Sequence, residues 1–377
     1  MDKRLDIIKS RVENGRRLSF EDGLYLMNSP DLLAVGRMAN IVRERKNGDK
    51  AYYIINGHIN HTNVCVNRCR FCAFSREEGE EGAYTMSLEE VMRKAEECYS
   101  DAISEFHIVG GLHPELPYDY YRDIIARLHD RYPDTHLQVF TAVEIDYLSK
   151  ISGKTIEETL KELKEAGLGS LPGGGAEIFN EDVRRKICPD KITGGEWLKV
   201  METAHGLGIR SNATMLYGHI EKPEHRIEHL IKLRELQDRT GGFMAFIPLA
   251  FHPLNTAMDR IHFTTGQMDI RILALSRLML DNFDHIKAFW IMISPEISQL
   301  SLSFGVDDVD GTVIEERITN AAGAQSGQAM AVDELERLIR EAGRIPVRRD
   351  TLYNELGRGR LKKKNSQIDA GLAGHAA

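Results

Sequence analysis

Cys65-Val66-Asn67-Arg68-Cys69-Arg70-Phe71-Cys72 gathers three of the chain's five cysteines into eight residues, spaced Cys-x3-Cys-x2-Cys. Three thiolates can hold three irons of a 4Fe–4S cube and leave the fourth iron open to a substrate or a second cofactor. Zinc is the rival reading. Structural zinc sites close on four ligands, often as two Cys-x2-Cys knuckles. Cys98 and Cys188 stand alone in the sequence, so a zinc-stabilised binding module would need His58 or His61 to complete its site. An electron-transfer iron–sulfur protein would want a fourth clustered cysteine.

Other residues offer ligand chemistry. Gly110-Gly111 follows a short apolar run, and paired glycines let backbone approach a ligand closely. Glu144 stands after the next such run, either as an acceptor for ligand hydroxyls or as a solvated loop acid. Pro172-Gly173-Gly174-Gly175-Ala176-Glu177 precedes a helix, which makes an anion-friendly nest. It lacks the lysine of a P-loop, which argues against a nucleoside triphosphate. Glu177 is placed to face a ligand, and Arg184, or its neighbour Arg185, to pair with a carboxylate. His219 and His252 end later strands, where a lone histidine is a substrate contact or simply structural. Cys98 and Cys188 read as packing residues, and Trp197 and Trp290 as core or pocket wall.

These residues need a frame, and the sequence supplies one. The first fifty residues read as helical. Ser19 caps one helix and Ser29-Pro30-Asp31 opens another. From Ala51 the pattern alternates strands with helices. Strands are expected at Ala51–Ile55, Phe106–Val109, Leu137–Phe140, Leu168–Leu171, Asn212–Leu216, Phe243–Leu249 and Ile286–Ile293. Helices follow from Ser87, Tyr118, Thr155, Asn180 and Thr193, and near 223–239 and 265–281. At least seven such units without a composition shift argue for a parallel (β/α)8 TIM-type barrel, complete or partial. Functional groups then belong in the βα loops at the C-terminal ends of the strands. The chain divides into an N-terminal helical extension (1–50), the barrel core (51–305), a C-terminal barrel-closing segment (306–357) and a flexible basic tail (358–377). Asp307, Asp308 and Asp310 suggest a calcium loop, but EF-hand spacing is absent.

Composition bounds the partners. The 377 residues are 42% hydrophobic and 28% charged, with a formal net charge of −8. That is a globular profile with no basic domain, so nucleic acid is not an expected partner. No apolar run approaches the roughly 18 residues of a membrane span. The polar N-terminus lacks a signal-peptide core, and clustered cysteines without one fit a reducing cytoplasm.

Cys-x3-Cys-x2-Cys with Phe71 before the last cysteine resembles the radical S-adenosylmethionine (SAM) superfamily. Five stretches narrow the likeness: Asn60–Arg76, Glu80–Tyr84, His107–Pro114, Pro172–Phe179 and Asn212–Glu221. Together they are similar to the radical enzymes of the futalosine route to menaquinone, over roughly residues 20–355. Ser75 and Gly82-Ala83-Tyr84 favour the aminofutalosine synthases, with the cyclic dehypoxanthine futalosine synthases as the alternative. The resemblance implies a 4Fe–4S cluster on Cys65, Cys69 and Cys72, SAM as co-substrate, and an external electron donor of flavodoxin or ferredoxin type. It also implies that Gly110 and Gly111 contact the methionine amino group, although Leu112 stands where the family often has Glu. Glu144, Glu177 and Arg184 then hold the rest of SAM. His61 and His219 are the catalytic candidates for a small two-carboxylate substrate, 3-[(1-carboxyvinyl)oxy]benzoate.

Cys65→Ala, Cys69→Ala and Cys72→Ala are each expected to abolish cluster assembly, while Cys98→Ala and Cys188→Ala keep full iron content. Iron and sulfide analysis after anaerobic reconstitution checks this, and iron loss in either of the last two variants contradicts it.

Overall fold

The computed structural model describes residues 3–314, 317–323, 327 and 329–357. The basic tail from 358 lies outside the described residues. Seven parallel strands pair in chain order: Asn56–Ile59, Glu105–Ile108, His136–Val139, Ser170–Leu171, Arg210–Tyr217, Phe243–Ala250 and His285–Ile286. At least one helix separates each strand from the next, as a parallel sheet requires. The sheet curls into a partial (β/α)8 barrel. Isolated bridges span its open side, Lys287 to Asp308 at one edge and Gly57 to Ile314 at the other.

Capping chemistry starts the helices where the sequence places it. Ser19, Ser87, Thr155 and Thr193 each form a reciprocal capping box with the acid three residues on. Asp31, rather than Ser29, caps the helix Leu32–Asn47. One helix was not expected from the apolar pattern: Ala142–Ser152, capped by Thr141 with Glu144 closing the box. Its Thr-x-x-Glu signature was the available signal.

Two strand expectations shift. The run Lys50–Ile54 leaves the barrel and pairs with Asp308–Gly311 and Ile345–Arg348 in a separate three-stranded sheet. The barrel's first strand is the next segment, Asn56–Ile59, and the Asn56-Gly57 pair marks the change. At the other end the strand shortens to His285–Ile286, and Trp290–Ile293 winds into a helical turn. Short apolar runs suit strand and buried helix alike; here Trp290 Nε1 donates to Gly311 O at 2.9 Å and anchors the turn.

Strand alternation sorts the side chains. Phe106, Ile108, Leu137 and Val139 are buried in the apolar core together with Tyr121, Ile125 and Leu128 of the helix Tyr118–Arg131. The alternate residues His58, His107 and Gln138 line the barrel cavity and are register partners across three neighbouring strands. The N-terminal helices pack along Pro223–Thr240 and Gly266–Met279. Arg234 and Arg271 from those two helices donate to the carbonyls of Leu18, Leu26 and Ser29. Among the described residues no helix is long and apolar enough to cross a membrane.

The aspartates around 308 are consumed by cations, which disposes of a calcium loop. Asp307 takes Arg277 and His285, Asp308 takes Arg349, and Asp310 takes Lys287. Arg277 is fully buried and also donates to the carbonyls of Phe283, Asp284 and Gly305. Removing one partner of such a pair strands the other charge in the core. Arg277→Ala is expected to destabilise the protein by about 3–5 kcal/mol, read as a lower midpoint in anaerobic urea denaturation.

Candidate active site

A cavity of about 330 Å³ opens at the C-terminal ends of the strands and runs down the barrel. Cys65, Cys69 and Cys72 form one wall, on the loop after the first barrel strand. The loop is pinned by backbone. Val66 N donates to Leu112 O at 2.9 Å, Arg70 N to Ile187 O at 2.8 Å and Cys72 N to Cys69 O at 3.0 Å. Ser75 N points at Cys72 Sγ at 3.4 Å. Burial pushes the Cys65 and Cys69 thiols up, and Lys191 opposes that at both.

These donors fit a cluster. Amide N–H groups of Leu112 and Asn67 aim at the Cys65 sulfur, and a partly buried lysine, Lys191, stands beside Cys69. Such groups favour thiolate over thiol. They do not fit zinc. His58 stacks on His107 inside the barrel, ring centroids 4.5 Å apart. His61 packs among Tyr120, Tyr121 and Phe140.

Gly110, Gly111, Glu144 and Glu177 all line the cavity. The glycines are forced by packing as well. A Cβ at Gly111 would lie 2.2 Å from Val64 O, and one at Gly110 would lie 2.5 Å from the His61 ring. Glu144 is buried in the first turn of its helix, not solvated in a loop. Gly110 N donates to its Oε1 at 3.0 Å and Thr141 N to its Oε2 at 2.7 Å. Burial raises its pKa to about 7 against those hydrogen bonds. Glu177 sits at φ 45°, in the left-handed region that non-glycine residues seldom occupy.

Four candidate residues lie elsewhere. Arg184 is buried behind the glycine loop, where it donates to the carbonyls of Gly175, Ala176, Ile178 and Ile192. Its guanidinium is spent on main chain and does not line the cavity, so it is a strut rather than a carboxylate ligand. Arg185 is exposed and pairs with Asp182. His61 is fully buried outside the cavity, since strand parity turns His58 and Asn60 inward and His61 away. His219 is held by Leu216 O at 3.1 Å and by Glu221, which also pairs with Arg226. Gly218, one residue before His219, packs against Thr264, which an added Cβ would meet at 2.3 Å.

The sequence reading missed both cavity lysines. Lys191 is partly buried at the cysteine end, 2.6 Å from Glu177 Oε1 and 5.1 Å from the Phe71 ring centroid. Lys287 lies at the far end, 3.1 Å from Asp310 Oδ1. Neither sits in a motif. His58, His107 and Gln138 carried a usable signal, polar residues alternating within apolar strands. Part of the wall is apolar, with Leu216, Ile247, Leu249, Phe251, Phe289 and Met292, while Asn60, Gln138, Thr214 and His252 are polar members of the same lining.

Residues 59–233 match the radical SAM superfamily, and residues 240–359 match the CofH/MqnC C-terminal region. An aminodeoxyfutalosine synthase from Thermus thermophilus is 50% identical over 94% of this chain and 96% of its own length. The chain belongs to the radical SAM superfamily. Its place there is the futalosine branch, and it is a radical SAM enzyme of a family that uses a 4Fe–4S cluster and SAM. A second aminodeoxyfutalosine synthase, from Streptomyces coelicolor, is 42% identical over 93% of each chain. A 5-amino-6-(D-ribitylamino)uracil–L-tyrosine 4-hydroxyphenyl transferase from Methanothermobacter thermautotrophicus is 42% identical over 89% of this chain and 94% of its own. Among solved structures, the [FeFe]-hydrogenase maturase HydG superposes with a TM-score of 0.73 at 20% identity, covering 92% of this chain and 76% of that one. Methylornithine synthase superposes at 0.71 and 16% identity, covering 90% and 97%. Both share the fold.

The Glu144 carboxyl generates a pH signature. Its folded pKa, about 7, lies above its ordinary 4.5, so ionising it weakens the fold. Stability from the neutral form is complete below the ordinary value and is lost as pH rises through about 7. Relative to Glu144→Gln, the wild type is expected to lose about 3 kcal/mol across that window. The slope of the difference in urea denaturation against pH is the readout, because Gln also forfeits one backbone hydrogen bond. A flat difference contradicts the assignment.

Proposed function

We propose that this enzyme is an aminodeoxyfutalosine synthase. It joins the adenosyl portion of SAM to 3-[(1-carboxyvinyl)oxy]benzoate, with rearrangement and loss of the enolpyruvyl carboxylate as carbon dioxide or bicarbonate, giving 6-amino-6-deoxyfutalosine and methionine. The identity to the Thermus thermophilus enzyme, 50% over 94% of the chain, carries this reading. When bound, the cluster and SAM supply a 5′-deoxyadenosyl radical.

The chain's own residues suit the task. Cys65, Cys69 and Cys72 hold the cluster and leave one iron free. Gly110 and Gly111 offer backbone carbonyls to the methionine amino group. Glu144 accepts from the ribose hydroxyls, and its contact with Gly110 N ties that role to the glycine pair. Lys191, held by Glu177, takes over the carboxylate that the sequence assigned to Arg184. The apolar wall keeps water from a reactive radical. An external electron donor of flavodoxin or ferredoxin type completes the system.

Anaerobic incubation of reconstituted enzyme with SAM, dithionite and the enolpyruvyl ether tests this by mass spectrometry. The expected product is 6-amino-6-deoxyfutalosine with stoichiometric methionine. Turnover of tyrosine with 5-amino-6-(D-ribitylamino)uracil, the chemistry named for the archaeal relative, would replace the reading, and so would conversion of dehypoxanthine futalosine.

A further inference from the structure

The cavity floor holds charged groups that cluster and SAM leave unassigned. Lys287 is 7% exposed and lines the cavity. Its ammonium has three N–H donors, of which Asp310 Oδ1 at 3.1 Å takes one. His58 is 8% exposed on the same floor, and its Nε2 has no partner. Buried polar atoms in folded proteins are nearly always satisfied, by protein, water or ligand. The His58 ring cannot turn to find one easily, because it lies flat on His107, whose Nδ1 is 3.3 Å from Gln138 Oε1.

The acids on and beside this floor are already engaged. Asp308 accepts from Arg349 Nε at 2.6 Å, and Asp310 from Lys287. Glu105 faces His107, Lys287, Arg349 and His136, which together hold its carboxyl below the usual range against burial. Asp310 sits at φ 65°, a left-handed conformation costly for a non-glycine residue. Strain of this kind gathers at ligand sites, where surrounding structure maintains it. Glu177 repeats the device at the opposite end, at φ 45° against Lys191. The cavity is thus a slot with one apolar wall and a carboxylate-held lysine at each end.

We propose that Lys287, oriented by Asp310 and flanked by His58, binds the ring carboxylate of an aromatic acid. The ring then lies against Leu216, Ile247, Leu249 and Phe289, and the rest of the molecule points at the cysteine loop. This rests on the reading that the substrate is the enolpyruvyl ether of 3-hydroxybenzoate. Its vinyl carbon must meet the adenosyl carbon at the cysteine end, so the carboxylate remote from the vinyl group goes to the remote lysine. The lost carboxylate and the retained one therefore occupy opposite ends of the slot.

The test compares two substrates in two proteins. One is the diacid; the other is 2-phenoxyacrylate, which lacks only the ring carboxylate. The proteins are the wild type and Lys287→Met/Asp310→Asn, which removes both charges together so that Asp310 is not stranded, while Glu105 keeps His107 and Arg349. The double variant is expected to raise KM for the diacid about ten- to a hundredfold, as loss of a charge-assisted contact implies. KM for 2-phenoxyacrylate stays unchanged, so the wild-type preference for the diacid disappears. The change that SAM produces in the paramagnetic resonance spectrum of the reduced cluster also stays as in the wild type. A double variant that keeps the wild-type preference overturns the proposal. If the double variant does not fold, His58→Phe and Lys287→Arg are scored by the same preference. If wild-type enzyme converts neither ether, the functional reading fails. The anchor is then judged by calorimetry with 3-methoxybenzoate and 3-methoxybenzamide, where equal affinities overturn it.

Discussion

Closing the ring of strands is the constraint on which the rest of this structure depends. Seven strands pair side by side in chain order, but the gap between the first and last is spanned by isolated bridges at Lys287–Asp308 and Gly57–Ile314. Side chains make up the deficit. Asp307, Asp308 and Asp310 meet Arg277, Arg349 and Lys287 across that seam, all buried. Buried ion pairs bring little net stability, because desolvation offsets attraction. They do demand one register, since a slip would leave charges unpaired in the core. The seam thereby sets where Lys287 and Asp310 stand on the cavity floor.

A second buried cation organises the opposite wall. Arg184 has main-chain carbonyls in place of a carboxylate partner, and it gathers two segments at once. Gly175, Ala176 and Ile178 flank Glu177, while Ile192 adjoins Lys191. The Glu177–Lys191 pair beside Cys69 is therefore held from behind. Trp197 adds a contact on the same loop, Nε1 to Gly174 O at 3.0 Å. The glycines tolerate this only because they lack side chains. A Cβ at Gly173 would sit 2.4 Å from Asn212 O. Close packing thus imposes the residue type here.

Glu144 links two loops of the cavity wall. As the third residue of its helix it closes a box with Thr141, and its other oxygen reaches Gly110 N on the neighbouring loop. A helix cap, a glycine loop and a buried acid become one unit. The raised pKa of this carboxyl follows from burial without a cation directly on it.

The sequence by itself determined whatever depends on local spacing. Cys-x3-Cys-x2-Cys defined the cluster loop, alternation of strand and helix defined the barrel, and serine or threonine three residues before an acid located helix starts. Tertiary structure decided which charged side chains face the cavity, because that depends on register and on the neighbouring layer. His58 and His61 differ by three positions and so by strand parity, and one points inward while the other is walled off by tyrosines. Arg184 and Lys191 both lie near the glycine loop in sequence, yet the longer planar guanidinium is captured by carbonyls and the ammonium reaches the cavity. Lys287 and Asp310 are 23 residues apart and meet only because the ring closes there. Local pattern writes the elements; the direction of a buried charge is settled by the partners that folding brings to it.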